Sequence, residues 1–515
     1  MFRCIAAPKE PEYSTDLAAF GYHKNEKGEF VDNTTGEYFD FFHTDNDRVN
    51  DLRRGAYQEC LRKEIAAELK EKHGITELFV TGADGTEISS SRPSGQNVSL
   101  LTTKVSELAQ KRDIIIVIGE SSQDCGVWAW RTVQREGGID GGSVTGLASK
   151  MAARVVQPTE DGMARLDQCE QTRTDEQKLQ APGIIILNPG QLIYSHGLGR
   201  NLTVASWQSR PRPTATSEPY KVEPKHNSIP GHETPHRHVQ TAFQSILPQI
   251  IAEDARLHII AIGDGTTATL DTIDQIMLAS DHISIGGGIL GTVALIDAKH
   301  EHEKIASLPL KTHLASVGKG WVQSEEAKST VVQMPDRASL GMPALEYAPG
   351  AQADIEEPNG AAINGHTTPD SPRVNGHDIT NGDHADLVQP LSALAVVDEL
   401  LSVPGPPPNT PADSGTTSPA TVASNPGSPA KSNKDETTIE DQDDDYPAPE
   451  EIPVSCPTYS AGVCDGVTET VFPVVIDDVL EHLWFHIQKG QESDAKESAR
   501  SEMRGQAWPR DAGDD

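Results

Sequence analysis

The sequence predicts an α/β protein built on a mostly parallel β-sheet with helices on both faces. Three short apolar runs carry this prediction, at residues 114–118, at Gly183–Leu187 and at residues 257–262. Apolar runs of this length that do not alternate with polar residues are typical of strands buried on both faces, as in a parallel sheet. The first run, with five branched residues, is expected at the centre of the sheet.

Each of these runs ends in a turn-forming loop. The loops are GESSQD at 119–124, NPGQ at 188–191 and GDGTT at 263–267. In an open α/β sheet, the loops at the carboxyl ends of the strands build the ligand crevice. We therefore expect these three loops to lie side by side.

The residues before the central strand predict a lead-in, a helix and a weak strand. Residues 1–45 contain short aromatic pieces that should pack across the domain surface. Asp47–His73 is rich in helix formers, and Gly74 is suited to end the helix. One face of that helix should be apolar, with Leu52, Ala56, Leu61, Ile65 and Leu69. Residues 78–80 fit an edge strand, and residues 82–105 are polar and loop-like.

The residues after the central strand predict alternating helices and strands. Residues 137–179 fit a crossover with a surface loop and one short helix near Ser149. The further predictions are helices at 239–253 and 266–279, a strand at 292–296 and a weaker apolar pattern at 304–323 that completes that half of the sheet.

The chain changes character at residue 346. Residues 346–451 are rich in Pro, Gly, Ser, Thr, Asn and Asp and hold 20 acidic against 3 basic residues. Such a segment buries too little apolar area to offset the entropy cost of ordering, so it should be disordered. The apolar stretch at 386–403 inside it is either a chance run or a helix that folds into a partner's groove.

Order is expected to return after this acidic segment. A loop at 456–460, a strand at 468–475 and a closing helix at 476–486 should complete the domain, and residues after 488 should fray. The predicted organisation is therefore a domain at 1–345 and 452–488, a disordered acidic insertion at 346–451 within it, and a disordered tail at 489–515.

Composition limits the function classes. The 515 residues are only 36% apolar and 5% aromatic and carry a net charge of −34. A surface this acidic argues against DNA binding and against broad contact with RNA phosphates, which needs clustered Lys and Arg. No stretch approaches the 18 apolar residues of a membrane helix, and the six scattered cysteines indicate reduced thiols.

Residues 191–238 are a basic segment within this acidic chain. The cations are Arg200, Arg210, Arg212, Lys221, Lys225 and Arg237, with five histidines, against three glutamates. One interpretation is a solvated loop with ordinary charges. The other is a contact for an anion or an acidic partner.

Catalysis would require a nucleophile on a sharp strand-to-helix turn. The turn falls at AIGDG, residues 261–265, and places Gly263 where a serine should stand. Asp264 could act instead as a carboxylate nucleophile, although capping the next helix is its simpler role. Ser121 and Ser122, in the loop at an oxyanion position, are weaker candidates.

A catalytic base and a metal site are both hard to assign. A triad needs its histidine after the last strand, whereas His482 and His486 fall within the predicted closing helix. The cluster His232, His236 and His238 lacks a recognisable carboxylate or cysteine pattern, so we expect no metal and no cofactor.

Several motifs together resemble the fungal Argonaute-binding domain. The matching stretches are GESSQDCGVWAWR at 119–131, LNPGQLIY at 187–194, SWQSRPRP at 206–213, HNSIPGHETPHRHV at 226–239, AIGDG at 261–265 and CPTYSAG at 456–462. The family is known from a subunit of the fission-yeast small-RNA chaperone complex, and a similar domain ends fungal class II histone deacetylases. The resemblance covers about residues 2–345 and 452–487.

The resemblance implies an α/β-hydrolase-like fold and a role in RNA interference and heterochromatin assembly. The protein would bind an Argonaute, reach RNA through that partner, and act in nucleus and cytoplasm. The residues then expected to bind the partner are Glu120, Gln123, Asp124, Trp128, Asn188, Gln191, Arg200, Trp207, Arg210 and Arg212. Two alternatives stay open, an esterase that uses Asp264 or an unrecognised serine, and an accessory protein regulated through its insertion.

Overall fold

The computed structural model describes residues 9–155, 181–279, 284–298, 304–333, 455–464 and 467–506, without the side chains of Val155 and of residues 498–506. The predicted disordered insertion at 346–451, with its apolar stretch at 386–403, lies outside the described residues. The residues after 506 also lie outside the described residues, as does the part of the predicted crossover from residue 156 to residue 179.

The described residues form fourteen strands. In chain order they are β1 (Tyr22–Lys24), β2 (Phe30–Asp32), β3 (Ile75–Thr81), β4 (Glu87–Ser89), β5 (Val98–Thr103), β6 (Asp113–Ile118), β7 (Gly183–Leu187), β8 (Ile193–Ser195), β9 (Arg200–Leu202), β10 (Arg256–Ile262), β11 (Ser284–Ile285), β12 (Gly288–Ile296), β13 (Gly318–Val322) and β14 (Thr458–Ser460).

The helices in the same part of the chain are mostly short. They are α1 (Leu17–Phe20), α2 (Asp47–His73), α3 (Val105–Leu108), α4 (Trp130–Val133), α5 (Gly138–Gly142), α6 (Val144–Val155), α7 (Val204–Gln208), α8 (Pro224–Asn227), α9 (Pro235–Thr241), α10 (Leu247–Ile250), α11 (Gly265–Ala279), α12 (Leu308–Val317) and α13 (Val471–Gln506), with a π-helical turn at Ala242–Ile246 and a 3-10 turn at Thr468–Thr470.

One large sheet organises the fold, with the strand order β4-β3-β5-β7-β6-β10-β12-β13-β14. The six strands from β7 to β14 in this order are parallel, whereas β5 runs antiparallel to both of its neighbours. The predicted central strand is β6, which lies between β7 and β10 and is buried along its whole length. The mostly parallel α/β sheet with helices on both faces that the sequence predicts is confirmed.

Successive side chains of the central strands belong to different apolar clusters, so the core consists of two layers, one on each face of the sheet. Ile115 and Val117 belong to one apolar cluster, and Ile114, Ile116 and Ile118 belong to the other. Successive side chains of a strand point to opposite faces, so a run that is apolar at every position must be covered on both. Helices α2 and α13 cover the first face, and α9, α10 and α11 cover the second.

Helix α2 forms where the sequence predicts it. The side chain of Asn46 accepts from the backbone N–H of Val49 at the start, and Gly74 ends the helix with φ of +63° and a bond to the carbonyl of Leu69. This left-handed ending suits glycine because it has no Cβ. Of the predicted apolar face, Leu52, Leu61, Ile65 and Leu69 are buried and Ala56 is half-buried.

The prediction for the first half of the sheet was partly wrong. The strand expected at an edge is β3, which lies between β4 and β5, so the edge strand is β4. Residues 82–105 are not a loop, because they contain β4 and β5. In β5, buried Val98 and Leu100 alternate with polar or half-buried neighbours, so this strand forms no continuous apolar run.

The prediction for the last residues also needs correction. The strand expected at 468–475 is the 3-10 turn followed by the start of α13, whose β-branched residues resemble a strand in isolation. Buried Val471, Phe472, Val475 and Val479 follow helical spacing against the sheet. The last strand is β14, in the segment expected to be a loop, and it pairs with β13.

Two helix boundaries differ from the prediction. The helix expected at 239–253 starts at Pro235 after the cap Thr234, widens into the π-helical turn and ends at Ile250. Pro248 cannot donate to the helical ladder, which favours a wider turn just before it. Helix α13 continues to Gln506 and does not end near residue 488.

None of the helices in the described ranges is long and apolar enough to cross a membrane.

Candidate functional site

The three loops at the carboxyl ends of β6, β7 and β10 meet, as predicted. The backbone N–H of Ser121 donates to Asp264 Oδ1 at 2.9 Å, and the backbone N–H of Cys125 donates to Gln191 Oε1 at 3.1 Å. Gly190 allows the closest approach, because a Cβ there would lie 1.9 Å from the carbonyl oxygen of Gln123. These contacts join the crevice loops directly to one another.

Asp124 is the centre of this arrangement. Its buried carboxylate accepts from Arg62 Nε at 3.0 Å, from Trp130 Nε1 at 3.0 Å and from Gln191 Nε2 at 2.6 Å. Burial tends to lower the pKa of Arg62, but the carboxylates of Asp124 and Glu59 outweigh burial and raise it above its usual range. Asp124 therefore ties α2, α4 and the β7 loop to the loop that follows β6.

Two buried histidines connect the loop after β7 to the loop that contains Gly85. The backbone N–H of Asn188 donates to His238 Nε2 at 3.0 Å, so the proton of His238 is on Nδ1, which lies 2.7 Å from His232 Nδ1. His232 then accepts at Nδ1 and donates from Nε2 to the carbonyl of Gly85 at 2.9 Å. All four ring nitrogens are in use, so this pair is a structural link between loops.

Both histidines of this pair should make stability depend on pH. Burial lowers the pKa of His232 and that of His238 below the ordinary value near 6.5. The unfolded chain therefore binds more protons just below that value, and stability is lost as pH falls through about 6.5. Each histidine contributes up to about 1.4 kcal/mol per pH unit. We expect His238→Gln to flatten the fall in the free energy of unfolding between pH 7 and 5, measured by urea titration; an unchanged slope would contradict this role.

Most of the residues predicted to bind a partner are buried or engaged within the protein. Trp128 packs edge-on against Phe472 with ring centroids 4.7 Å apart, and Asn188 donates to the carbonyl of Ser99 at 2.9 Å. Asp124, Trp128, Asn188, Gln191 and Trp207 are all buried. Substitution of these residues would act first through stability.

The arginines of the basic segment also have partners inside the fold. Arg200 Nη2 lies 2.6 Å from Glu59, and Arg210 lies between the rings of Trp207 and Tyr220, at 3.5 and 4.0 Å from their centroids. The backbone N–H of Arg212 donates to Glu10, and its Nη1 donates to the carbonyl of Ser217 at 3.3 Å. The segment therefore uses these three arginines as structural residues, and its exposed cations include Lys221 and Lys225.

Residues that the sequence analysis missed complete the site. Arg62, Glu59 and Trp130 are central to the geometry around Asp124. Arg62 and Glu59 lie on α2, and each contacts a residue far along the chain: Arg62 contacts Asp124 in the loop after β6, and Glu59 contacts Arg200 in β9. No local pattern in the sequence marks them, although Trp130 belongs to the quoted motif at 119–131.

The turn between β10 and α11 has the shape of a nucleophile elbow. Gly263 and Asp264 are the two residues between β10 and α11, and the φ of Gly263, +57°, is the left-handed conformation of that turn. A Cβ at Gly263 would lie 2.4 Å from Glu120 Oε1. The carboxyl group of Glu120 therefore fills the space that a nucleophile side chain would need.

The other catalytic candidates do not supply the missing nucleophile. Asp264 is exposed and one residue beyond the elbow, where the backbone N–H and the hydroxyl of Ser121 both donate to its carboxylate. This pairing cross-links two loops. Ser122 is exposed and adjacent to this pair.

A catalytic base is also missing from the expected place. Residues 461–470, which follow β14, contain no histidine. His482 lies in α13, with Nε2 at 2.9 Å from Thr292 Oγ1 and 3.2 Å from the carbonyl of Val317, towards the amino ends of the strands. Burial, with the nearby His486, lowers the pKa of His482 to about 4.

The crevice itself has little space. The cavity between the loops, lined by Gly119, Glu120, Gln123, Asn188 and their neighbours, measures about 20 Å³. That volume suits about one water molecule. In the described ranges, no group of three or more His, Cys, Asp and Glu side chains is placed to hold a metal ion.

The structure is thus an α/β protein with a mostly parallel sheet, in which the turn after β10 carries glycine and faces the carboxyl group of Glu120. A family model described as the Arb2 domain matches residues 13–328, which is more than half of the chain. The chain therefore belongs to the Arb2 domain family. Comparisons with curated proteins and with solved structures gave no significant match.

Proposed function

We propose that the protein is a non-catalytic interaction subunit that binds an Argonaute-type partner in small-RNA-directed silencing and heterochromatin assembly. Membership of the Arb2 domain family supports this role. The observation that carries the non-catalytic part is the position of Glu120, whose carboxyl group fills the elbow at Gly263. In this proposal RNA is reached through the partner, in the nucleus and the cytoplasm.

The contact surface that we propose is the exposed part of residues 196–226, here called the 196–226 surface. Four of its large apolar residues are well exposed, namely Leu198, Val204, Tyr220 and Val222. The exposed ammonium groups of Lys221 and Lys225 lie in the same segment. These four residues come from one segment of the chain, and exposed apolar residues that form a patch mark interaction sites. Cations beside them favour a partner surface that is acidic and apolar.

Binding between the purified full chain and a purified Argonaute tests the proposal, with calorimetry as the readout. We expect Val222→Glu and Lys221→Glu each to weaken the affinity at least tenfold, because they place a carboxylate on the 196–226 surface. Leu278→Glu is the matched control, since Leu278 is an exposed apolar residue at the end of α11. Its effect should stay below twofold.

Two results would contradict the proposal. The first is the absence of binding between the folded wild-type chain and any Argonaute from the same cells. The second is equal weakening by Val222→Glu and Leu278→Glu, which would reject the 196–226 surface as the contact.

A further inference from the structure

A groove of about 200 Å³ lies between α2 and the strands β3 and β5, beside the loop that holds Asp124. Its apolar wall consists of Ile65, Leu69, Phe79, Leu101 and Val127. A closed apolar cavity of about 150 Å³ is large enough to bind benzene. This groove therefore has room for an aromatic ring or a branched chain of about ten non-hydrogen atoms.

The polar lining of the groove is rich in charge. Four cations, Arg62, Lys63, Arg92 and Arg200, face three carboxylates, Glu59, Glu77 and Asp124. Each carboxylate already has an arginine: Asp124 pairs with Arg62, Glu77 with Arg92, and Glu59 with both Arg62 and Arg200. The lining thus has one positive charge in excess, on a chain whose net charge is −34.

Two cations of the lining can account for this excess. The ammonium group of Lys63 donates to the carbonyl and the hydroxyl of Thr15, which are both neutral. Arg200 shares the carboxylate of Glu59 with Arg62. Burial, together with the like charge of Arg62, lowers the pKa of Arg200 below its usual range. An anion in the groove would offset this charge.

We propose that the groove binds a small monoanionic apolar ligand, an aromatic or branched aliphatic carboxylate, with its apolar body on Leu69, Phe79 and Leu101 and its carboxylate towards Lys63 and Arg200. The groove is lined neither by the elbow nor by the exposed apolar residues of the 196–226 surface, although Arg200 and Asn201 of that segment line it. Its test measures a small ligand and no Argonaute, so this inference does not depend on the proposed function. A cleft with apolar walls and a few convergent polar groups is the usual form of a small-molecule site.

The test uses the full chain and the probe 3-phenylpropionate, with its neutral amide as the comparison compound. Saturation-transfer NMR and a titration would measure binding. We expect saturable binding of the carboxylate at millimolar or lower concentration, and at least fivefold weaker binding of the amide, because a charge contact at about 4 Å is lost.

Three variants locate the site. Ser99 lines the groove and its side chain is half-buried, so Ser99→Phe should fill the space and abolish binding. Lys63→Glu should weaken binding at least fivefold. Lys70→Glu makes the same charge change at an exposed position of α2 outside the groove and should change the affinity less than twofold.

The proposal is overturned if the folded wild-type chain shows no saturable binding of the carboxylate. It is also overturned if Ser99→Phe and Lys63→Glu, each verified as folded by circular dichroism, bind the probe as tightly as Lys70→Glu. Because Lys63 is exposed, its substitution keeps the test decisive even if Ser99→Phe fails to fold.

Discussion

The variant Asp124→Ala should lose about 3–5 kcal/mol of the free energy of unfolding. The side chains of Asp124 and Arg62 are 3% and 14% exposed, and they lie 2.9 Å apart. Removing the carboxylate leaves the guanidinium buried with only Glu59 as counter-charge. It also removes the acceptor of Trp130 Nε1 and of Gln191 Nε2. Urea unfolding of the full chain, extrapolated linearly to water, would measure the loss.

An exposed ion pair provides the control for Asp124→Ala. Arg112 and Asp254 form a direct contact, but their side chains are 62% and 56% exposed. Solvent screens such a pair, so Asp254→Ala should cost less than about 1 kcal/mol. If both variants lost the same free energy, Asp124 would not be the centre of the crevice loops.

The variant Gly263→Ser should lose about 2–3 kcal/mol and should gain no hydrolase activity. A left-handed backbone conformation costs a residue with a Cβ about 1–2 kcal/mol, and the new side chain also displaces the carboxyl group of Glu120. A serine at this position would still lack a histidine in residues 461–470 to take its proton. Urea unfolding and hydrolysis of a panel of chromogenic esters would give the two readouts.

Gly95→Ser is the matched control for Gly263→Ser. A Cβ at Gly95 would meet no atom within 4 Å, and its φ is not left-handed. Its stability should therefore stay within about 0.5 kcal/mol of the wild type. Adding Glu120→Ala to Gly263→Ser should recover the steric part of the loss. Ester hydrolysis by Gly263→Ser would contradict the prediction, because it would show that the protein had lacked only the nucleophile of a hydrolase.

The sequence predicted the elements that carry their own local signal. Strands β6, β7 and β10 are apolar at nearly every position, and α2 has both a helical apolar face and a terminal glycine. Strand β5 was missed because Ser99, Thr102 and Thr103 break up its apolar residues, so that it forms neither a continuous apolar run nor a strict alternation. Strand β14 was missed because it has only three residues, and its pairing with β13 depends on chain more than a hundred positions away.

The sequence predicted only those residues of the site that can be recognised from their position directly after a strand. Asp124, Gln191 and Gly263 stood out because they follow buried strands, and the meeting of their loops follows from the parallel sheet. The contact of Glu120 with the elbow and the burial of Arg62 against Asp124 depend on how separate elements pack. No residue spacing in the sequence marks such contacts. The sequence therefore did not indicate that several residues expected to bind a partner are buried, namely Asp124, Trp128, Asn188, Gln191 and Trp207.

Purification of the tagged full chain from cells that express it natively would test the central claim most directly. The readouts are mass spectrometry of the co-purified proteins and sequencing of the co-purified RNA, with Val222→Glu and Leu278→Glu in parallel. Our account predicts an Argonaute with small RNAs in the wild type and in Leu278→Glu, and their loss in Val222→Glu. Absence of an Argonaute, together with covalent labelling of this chain by a serine-hydrolase probe, would contradict the account and favour an enzyme.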